Sequence, residues 1–138
     1  MSYRYLEHST DAFIEVKAKT LEEAFSVAGK SVVETMIDLK NIQQIEEKNI
    51  NVKGRNLLNL LYNWLEEIVM ITITDGFAIR NFSVNIKKND VYEIISKISG
   101  EKLDLKKHNF KIEIKSPTFH LMEIKENDEI TMQYLLDL

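Results

Sequence analysis

Apolar and polar residues alternate with two different periods along this chain, and each change of period marks a change of element. From Phe13 to Ala18 the period is two, with Ile14, Val16 and Ala18 on one side and Glu15 and Lys17 on the other, which predicts a strand. Thr20-Leu21-Glu22-Glu23 then reads as a capping box, in which hydroxyl and carboxylate satisfy amides left over at a first helical turn. The stripe Leu21, Ala24, Phe25, Ala28, Val32 and Met36 gives that helix one apolar face. A polar, strand-like stretch around Ile50 and Val52 follows, and Gly54-Arg55-Asn56 interrupts it. Leu57, Leu61, Trp64, Leu65 and Ile68 recur at helical spacing and predict a second helix, with Asp75-Gly76 as its exit turn.

From Phe77 onward the period returns to two. Three runs show it: Phe82, Val84 and Ile86; Phe110, Ile112 and Ile114; Ile130, Met132, Tyr134 and Leu136. Two helices followed by strands predict the α+β class, a two-layer sandwich with two amphipathic helices packed on one face of a largely antiparallel β-sheet. In the last strand, alternation sends Ile130, Met132, Tyr134 and Leu136 toward the helices and Asp137 toward solvent. No linker, repeat or low-complexity tract interrupts the chain, so residues 1–138 read as a single domain.

Composition narrows the class of function. The chain has 138 residues, 44% of them hydrophobic and 29% charged, the balance of a soluble globular protein. Its net charge is -4 and no five-residue basic cluster occurs, which argues against gripping a phosphate backbone as its main task. The absence of cysteine removes disulfides, thiolate zinc sites and cysteine nucleophiles together. With no apolar signal core near Met1 and no apolar run of spanning length, a cytoplasmic location without membrane association is expected.

Candidate chemistry begins with acids. Tyr134-Leu135-Leu136-Asp137-Leu138 brings a side-chain carboxylate and the terminal carboxylate one residue apart, the oxygen-rich grouping that hard cations such as calcium collect. One more acid would complete a site, and Asp11 in His8-Ser9-Thr10-Asp11 is a candidate; an ordinary surface acid is the alternative at each position. His8 could act as a base, or the same four residues could simply shape a turn. Gly100-Glu101-Lys102-Leu103-Asp104 with His108 matches no metal spacing and reads as a solvated loop. Lys115-Ser116-Pro117-Thr118-Phe119-His120 reads as a connection between strands in which Pro117 interrupts hydrogen bonding, with Lys115 as a candidate point charge for a phosphate or a carboxylate. No phosphate loop, dinucleotide glycine pattern or serine elbow is present.

Taken together these segments resemble the archease family. The resemblance lies in the early His-x-x-Asp (His8 to Asp11), the Thr-Leu-Glu-Glu-Ala-Phe helix start (Thr20 to Phe25) and the Leu-Leu-x-x-Trp-Leu-Glu-Glu helix (Leu60 to Glu67). It continues in Gly100 to His108, in the Lys-x-x-Thr-aromatic-His segment (Lys115 to His120) and in the Leu-Asp-aliphatic end (Leu136 to Leu138). Six segments in register over nearly the whole chain carry it. Where the family usually reads His-Thr-Ala-Asp, this chain has Ser9 and Thr10, and Ser116-Pro117 replaces an Ala-Val or Ala-Ile pair; no glycine follows Asp11 closely.

The resemblance implies an accessory protein with no catalytic residues of its own, a cofactor that activates the RtcB-type RNA ligase of tRNA splicing by promoting its guanylylation and multiple turnover. It implies a divalent cation, calcium by the family's habit, held by Asp11, Asp137 and Leu138. Lys115 and His8 would contact the partner or a phosphate, and tRNA exon ends would be met only through the ligase. Two other classes compete: a stand-alone metal-dependent hydrolase in which His8 or His120 activates water, and a chaperone-like or RNA-binding adaptor.

Overall fold

The computed structural model describes residues 2–6 and 11–138. The chain runs β1 (Ser2–Leu6), β2 (Asp11–Ala18), α1 (Leu21–Met36), β3 (Glu46–Gly54), α2 (Leu57–Ile73), β4 (Phe77–Lys88), β5 (Tyr92–Lys102), β6 (Ser116–Glu126) and β7 (Ile130–Asp137). This is the expected α+β class with antiparallel pairing. The strands are divided between two sheets, one ordered β1-β2-β7-β6 and the other β3-β5-β4.

Both helices start where the sequence signals. The Thr20 side chain accepts the Glu23 N–H at 3.1 Å, and the Asn56 side chain accepts the Asn59 N–H at 2.8 Å, so each first turn has a side-chain acceptor for one orphan amide. At the far end of α2, the amides of Thr74 and Asp75 both bond to the Met70 carbonyl, and Gly76 supplies the positive φ of 66° that turns the chain into β4.

Burial on α1 exceeds one stripe, because Val27, Gly29, Ser31 and Val33 are enclosed along with Ala24, Phe25, Ala28, Val32 and Met36. The helix touches strands of both sheets. Its Ser31 hydroxyl bonds to the Tyr134 hydroxyl on β7, while its Ser26 hydroxyl reaches the Phe82 carbonyl on β4 at 3.4 Å. Trp64 of α2 is fully buried between these layers, donates Nε1–H to the Phe25 carbonyl at 2.8 Å, and meets the Phe82 ring edge-on. Burial pushes the Tyr134 phenol well above its ordinary range, so it stays a neutral hydrogen-bonding group in the core.

Three expectations are corrected here. The segment Lys115 to His120, read as a connection between strands, lies from Ser116 onward within β6, where Pro117 stands opposite Leu136. Residues 103–115 are not a strand despite the alternation of Phe110, Ile112 and Ile114. Their amides bond outside any ladder: Phe110 to the Leu105 carbonyl, Lys111 to Met36 at the end of α1, and Lys115 to Asp137. Of the three alternating apolar residues only Ile114 is buried, while Phe110 and Ile112 are exposed. Conversely, Gly100, Glu101 and Lys102 are not a solvated loop but the end of β5, and His108 is fully buried.

Candidate functional site

The antiparallel ladder between β2 and β7 sets the two suspected acids against each other. With Ala18 opposite Ile130 and Ile14 opposite Tyr134, the register places Asp11 directly opposite Asp137. On the other side of Asp137, across the β7–β6 ladder, stands Ser116, and the Lys115 N–H donates to the Asp137 carbonyl at 2.8 Å. Directly opposed residues of an antiparallel pair have Cβ atoms about 4.5–5.5 Å apart, so the two carboxylates share one patch of surface, and like charges so placed repel. Asp137 is exposed, as its alternation requires, and Asp11 is half-buried.

A cavity of about 540 Å³ opens over this pair, lined also by Ser116, Thr118, Phe119 and His120. Its wall comes from an irregularity in β6. The β6–β7 register passes from Thr118 opposite Leu135 to Glu123 opposite Gln133, so residues 119–122 stand against Tyr134 alone. The His120 N–H donates to the Thr118 hydroxyl at 3.2 Å, and the Gln133 amide donates to the Leu121 carbonyl at 2.9 Å, which fixes both ends of the bulge. Phe119 stacks on Tyr62 of α2, with centroids 4.4 Å apart and planes 11° from parallel. Leu135 shares the cavity and is buried, although alternation sends it outward with Asp137.

Of the residues singled out from sequence, Asp11 and Asp137 are thus brought opposite each other, while Leu138, next in the chain, is partly buried against the core. Lys115 is exposed and joins the group through its main chain. His8 lies outside the described residues. His120 lines the cavity, whereas His108 belongs to a separate cluster, so these two histidines do not share a site. Among the described residues no three His, Asp or Glu side chains converge as a metal-binding group.

The His108 cluster went unread in the sequence. Its Nδ1 accepts the Asp104 N–H at 3.0 Å, which leaves the ring proton on Nε2, 2.9 Å from the Glu101 carboxylate. Glu101 also accepts the Gln43 N–H at 2.8 Å and the Lys107 ammonium at 2.8 Å. These donors, the Gln43 amide first, hold its carboxyl down to about 2. The cluster clamps the 103–115 segment to the end of β5. Asp38, beyond α1, holds the other side through Asn109 and Lys111, and the same two bonds keep its carboxyl below the usual range. A hint existed in sequence: a Glu and a His seven residues apart, each flanked by lysine.

The fold and site together define a class: a two-helix, two-sheet α+β protein whose first long strand and last strand bring an acid pair to one edge of a surface cavity. The profile of the Archease protein family (MTH1598/TM1083) matches residues 3–138, and the chain belongs to that family. Protein archease of Pyrobaculum islandicum is 37% identical over 141 residues, covering 100% of this chain and 96% of that one. Protein archease of Pyrococcus abyssi is 34% identical, covering 90% and 88%. Among solved structures, protein 1598 of Methanobacterium thermoautotrophicum superposes with a TM-score of 0.81 at 28% identity, covering 99% of both chains. An archease of Thermotoga maritima, described as a possible chaperone, shares the fold with a TM-score of 0.61 at 19% identity, covering 98% of this chain and 96% of that one. No helix among the described residues is long and apolar enough to cross a membrane.

Proposed function

We propose that this protein is an accessory activator of an RtcB-type tRNA-splicing RNA ligase, promoting guanylylation of the ligase and its repeated turnover, and that a divalent cation at the acid pair is part of the device. The observation that carries the reading is the register itself, which opposes Asp11 to Asp137 in a chain of the archease family. The donor set fits a hard cation: two carboxylates and the oxygens of Leu138 are the ligands calcium prefers, and the remaining positions would be filled by water or by a partner's oxygen. A cation bound there would offset the repulsion between the two acids and could polarise a phosphoryl or carboxylate oxygen brought to the cavity.

The chain's own residues supply the frame. Asp11 and Asp137 would bind the ion, the β2–β7 ladder would hold their spacing, and the Lys115 N–H would orient the Asp137 main chain. Lys115 itself, exposed beside the site, would meet an anionic group of the ligase and its bound nucleotide. The setting is intracellular RNA processing, with tRNA exon ends met only through the ligase.

The deciding experiment is multiple-turnover ligation by a cognate ligase at substoichiometric concentration with GTP and a divalent metal. Added protein should convert a single round into continuing turnover; unchanged turnover with a competent ligase would remove this reading. The second reading, a stand-alone hydrolase, draws on His120 lining the same cavity as both acids. It requires cation-dependent hydrolysis of a phosphate ester by the protein alone, lost on His120→Ala.

A further inference from the structure

A second cavity, of about 600 Å³, opens where the carboxyl end of α2 meets the starts of β3 and β4 and the 103–115 segment. Phe77, 2% exposed, forms its floor with Ile73 and Leu103, and the Leu103 N–H on the Gly76 carbonyl at 2.7 Å ties that floor together. Leu105 and Phe110 add an apolar wall, held as one turn by the Phe110 N–H on the Leu105 carbonyl at 2.9 Å. Such a size and lining suit a small organic ligand. No residue of this lining belongs to the acid-pair cavity, which is built around β2, β6 and β7.

Charge narrows the chemistry. Three carboxylates reach this cavity from three separate elements: Glu46 at the start of β3, Asp75 just after α2 and Glu113 shortly before β6. All three are exposed, and among the described residues none of them has an ion-pair partner. The Asp75 charge is felt back along α2, where burial first and Asp75 second push the Glu67 carboxyl up. The negative end of the α2 dipole adds to the field. Yet among the described residues no three acids converge as a metal-binding group, so a compact dication cannot bind all three at once. The cation that suits them carries several positive charges spaced along an apolar chain.

A second observation, independent of the acids, points the same way. The Lys48 ammonium lies over the Phe77 ring, 4.4 Å from its centroid, and both residues line the cavity. A lysine side chain ends in the same aminobutyl group that linear polyamines carry, so the chain's own residue shows how such an arm is seated. Lys102, the other cation of the lining, is exposed, and solvent weakens its repulsion.

We propose that this cavity binds a linear polyamine, a triamine whose ammonium groups are shared among Glu46, Asp75 and Glu113 and whose methylenes lie against Leu103, Leu105 and Phe110. Lys48 holds one seat in the free protein and yields the Phe77 ring to an arm of the ligand. The site is separate from the acid pair and does not depend on the activator reading.

Spermidine is the probe, titrated by calorimetry into wild type, Asp75→Asn, Glu113→Gln, Lys48→Met and Asp137→Asn. All four positions are exposed, so the variants should keep the fold, as thermal melts will verify. Wild type should bind with a dissociation constant below about 1 mM, more tightly than it binds the diamine putrescine and more tightly still than butylamine. Asp75→Asn and Glu113→Gln should each weaken binding about threefold to fivefold, the scale of one solvent-exposed charge pair, and the double variant about tenfold or more. Lys48→Met should strengthen binding, because it removes the competitor and leaves the ring. Asp137→Asn should bind spermidine as wild type does. No binding at about 1 mM, or equal affinity for spermidine and butylamine, overturns the site. Equal affinity in every variant would reduce the effect to diffuse attraction toward a chain of net charge -4, and loss in Asp137→Asn alone would move the polyamine to the acid pair; either result overturns the proposal. So does weaker binding in Lys48→Met, the response expected of a site for anions.

Discussion

Asp11 and Asp137 face each other across the β2–β7 ladder, two acids at directly opposed positions of an antiparallel pair. A sheet that places like charges opposite each other gives up a few tenths to about 1 kcal/mol, a cost that the proposed cation would offset. Replacing Asp137 by Asn removes one charge at constant size. In chelator the variant should be as stable as wild type or more stable by up to about 1 kcal/mol. With calcium, wild type should gain stability by mass action, about 2.7 kcal/mol at one hundred times the dissociation constant, and the variant should not. Thermal melts in chelator and in calcium decide this; an equal calcium response in both proteins would separate Asp137 from any metal.

Glu101 makes an acid-stability signature. Its folded carboxyl lies at about 2, below the ordinary value of 4.5, because the Gln43 amide, His108 and Lys107 all donate to its charged form. A depressed folded pKa contributes stability that is fully present above the unfolded value and is lost as pH falls from about 4.5 toward 2. Wild type should therefore lose stability steeply across that window, and Glu101→Gln, less stable at neutral pH, should lose less of it there. Urea titrations at pH 6, 4 and 3, chosen to bracket the window, compare the slopes; parallel slopes would show that the carboxylate is not held as the structure has it.

Trp64 ties the helices together. It is the chain's single tryptophan, fully buried, and its Nε1–H reaches the Phe25 carbonyl on α1. Trp64→Phe deletes that bond and leaves space beside Phe82, and should cost about 2 kcal/mol. Urea denaturation followed by far-ultraviolet circular dichroism measures it, since the variant has lost the chain's tryptophan emission; a cost under about 0.5 kcal/mol would mean the interface repacks freely.

What the sequence revealed of this fold follows the range of the forces involved. Caps and stripes are local, so the Thr20 capping box and the Leu57-to-Ile68 spacing located both helices, and alternation located β2 and β7. The acid pair was legible as two suspicious acids, but their opposition depends on a register set by Ile14, Val16, Met132 and Tyr134 in the core. Non-local choices were hidden. The 103–115 segment alternates like a strand, yet its amides are taken by Met36, Leu105 and Asp137, which no local pattern encodes. The burial of α1 from both sheets was masked because Gly29 and Ser31 break an apolar stripe while being enclosed. The β6 bulge left only the adjacent pair Leu121-Met122, an interruption of alternation that a sequence reading passes over.

Gly100 shows the same lesson as a stability test. It reads in sequence as a flexible loop residue, and in that role alanine would be nearly neutral or slightly favourable through the unfolded state. In the structure it lies in β5 between β3 and β4, paired with Glu46 and with Ile79, where the β4–β5 register shifts beyond Ile79. A Cβ built there would stand 1.8 Å from the Ala78 carbonyl oxygen and 3.1 Å from the Ile79 Cα, against backbone that cannot rotate away as a side chain could. The neighbouring Glu101 is clamped by Gln43, His108 and Lys107, so β5 has little room to shift. Gly100→Ala should therefore cost about 4 kcal/mol, at the high end for a single substitution, and urea midpoints at neutral pH would measure it. A variant as stable as wild type would mean that β4 and β5 separate more easily here than the enclosed Ala78, Ile79 and Glu101 side chains indicate.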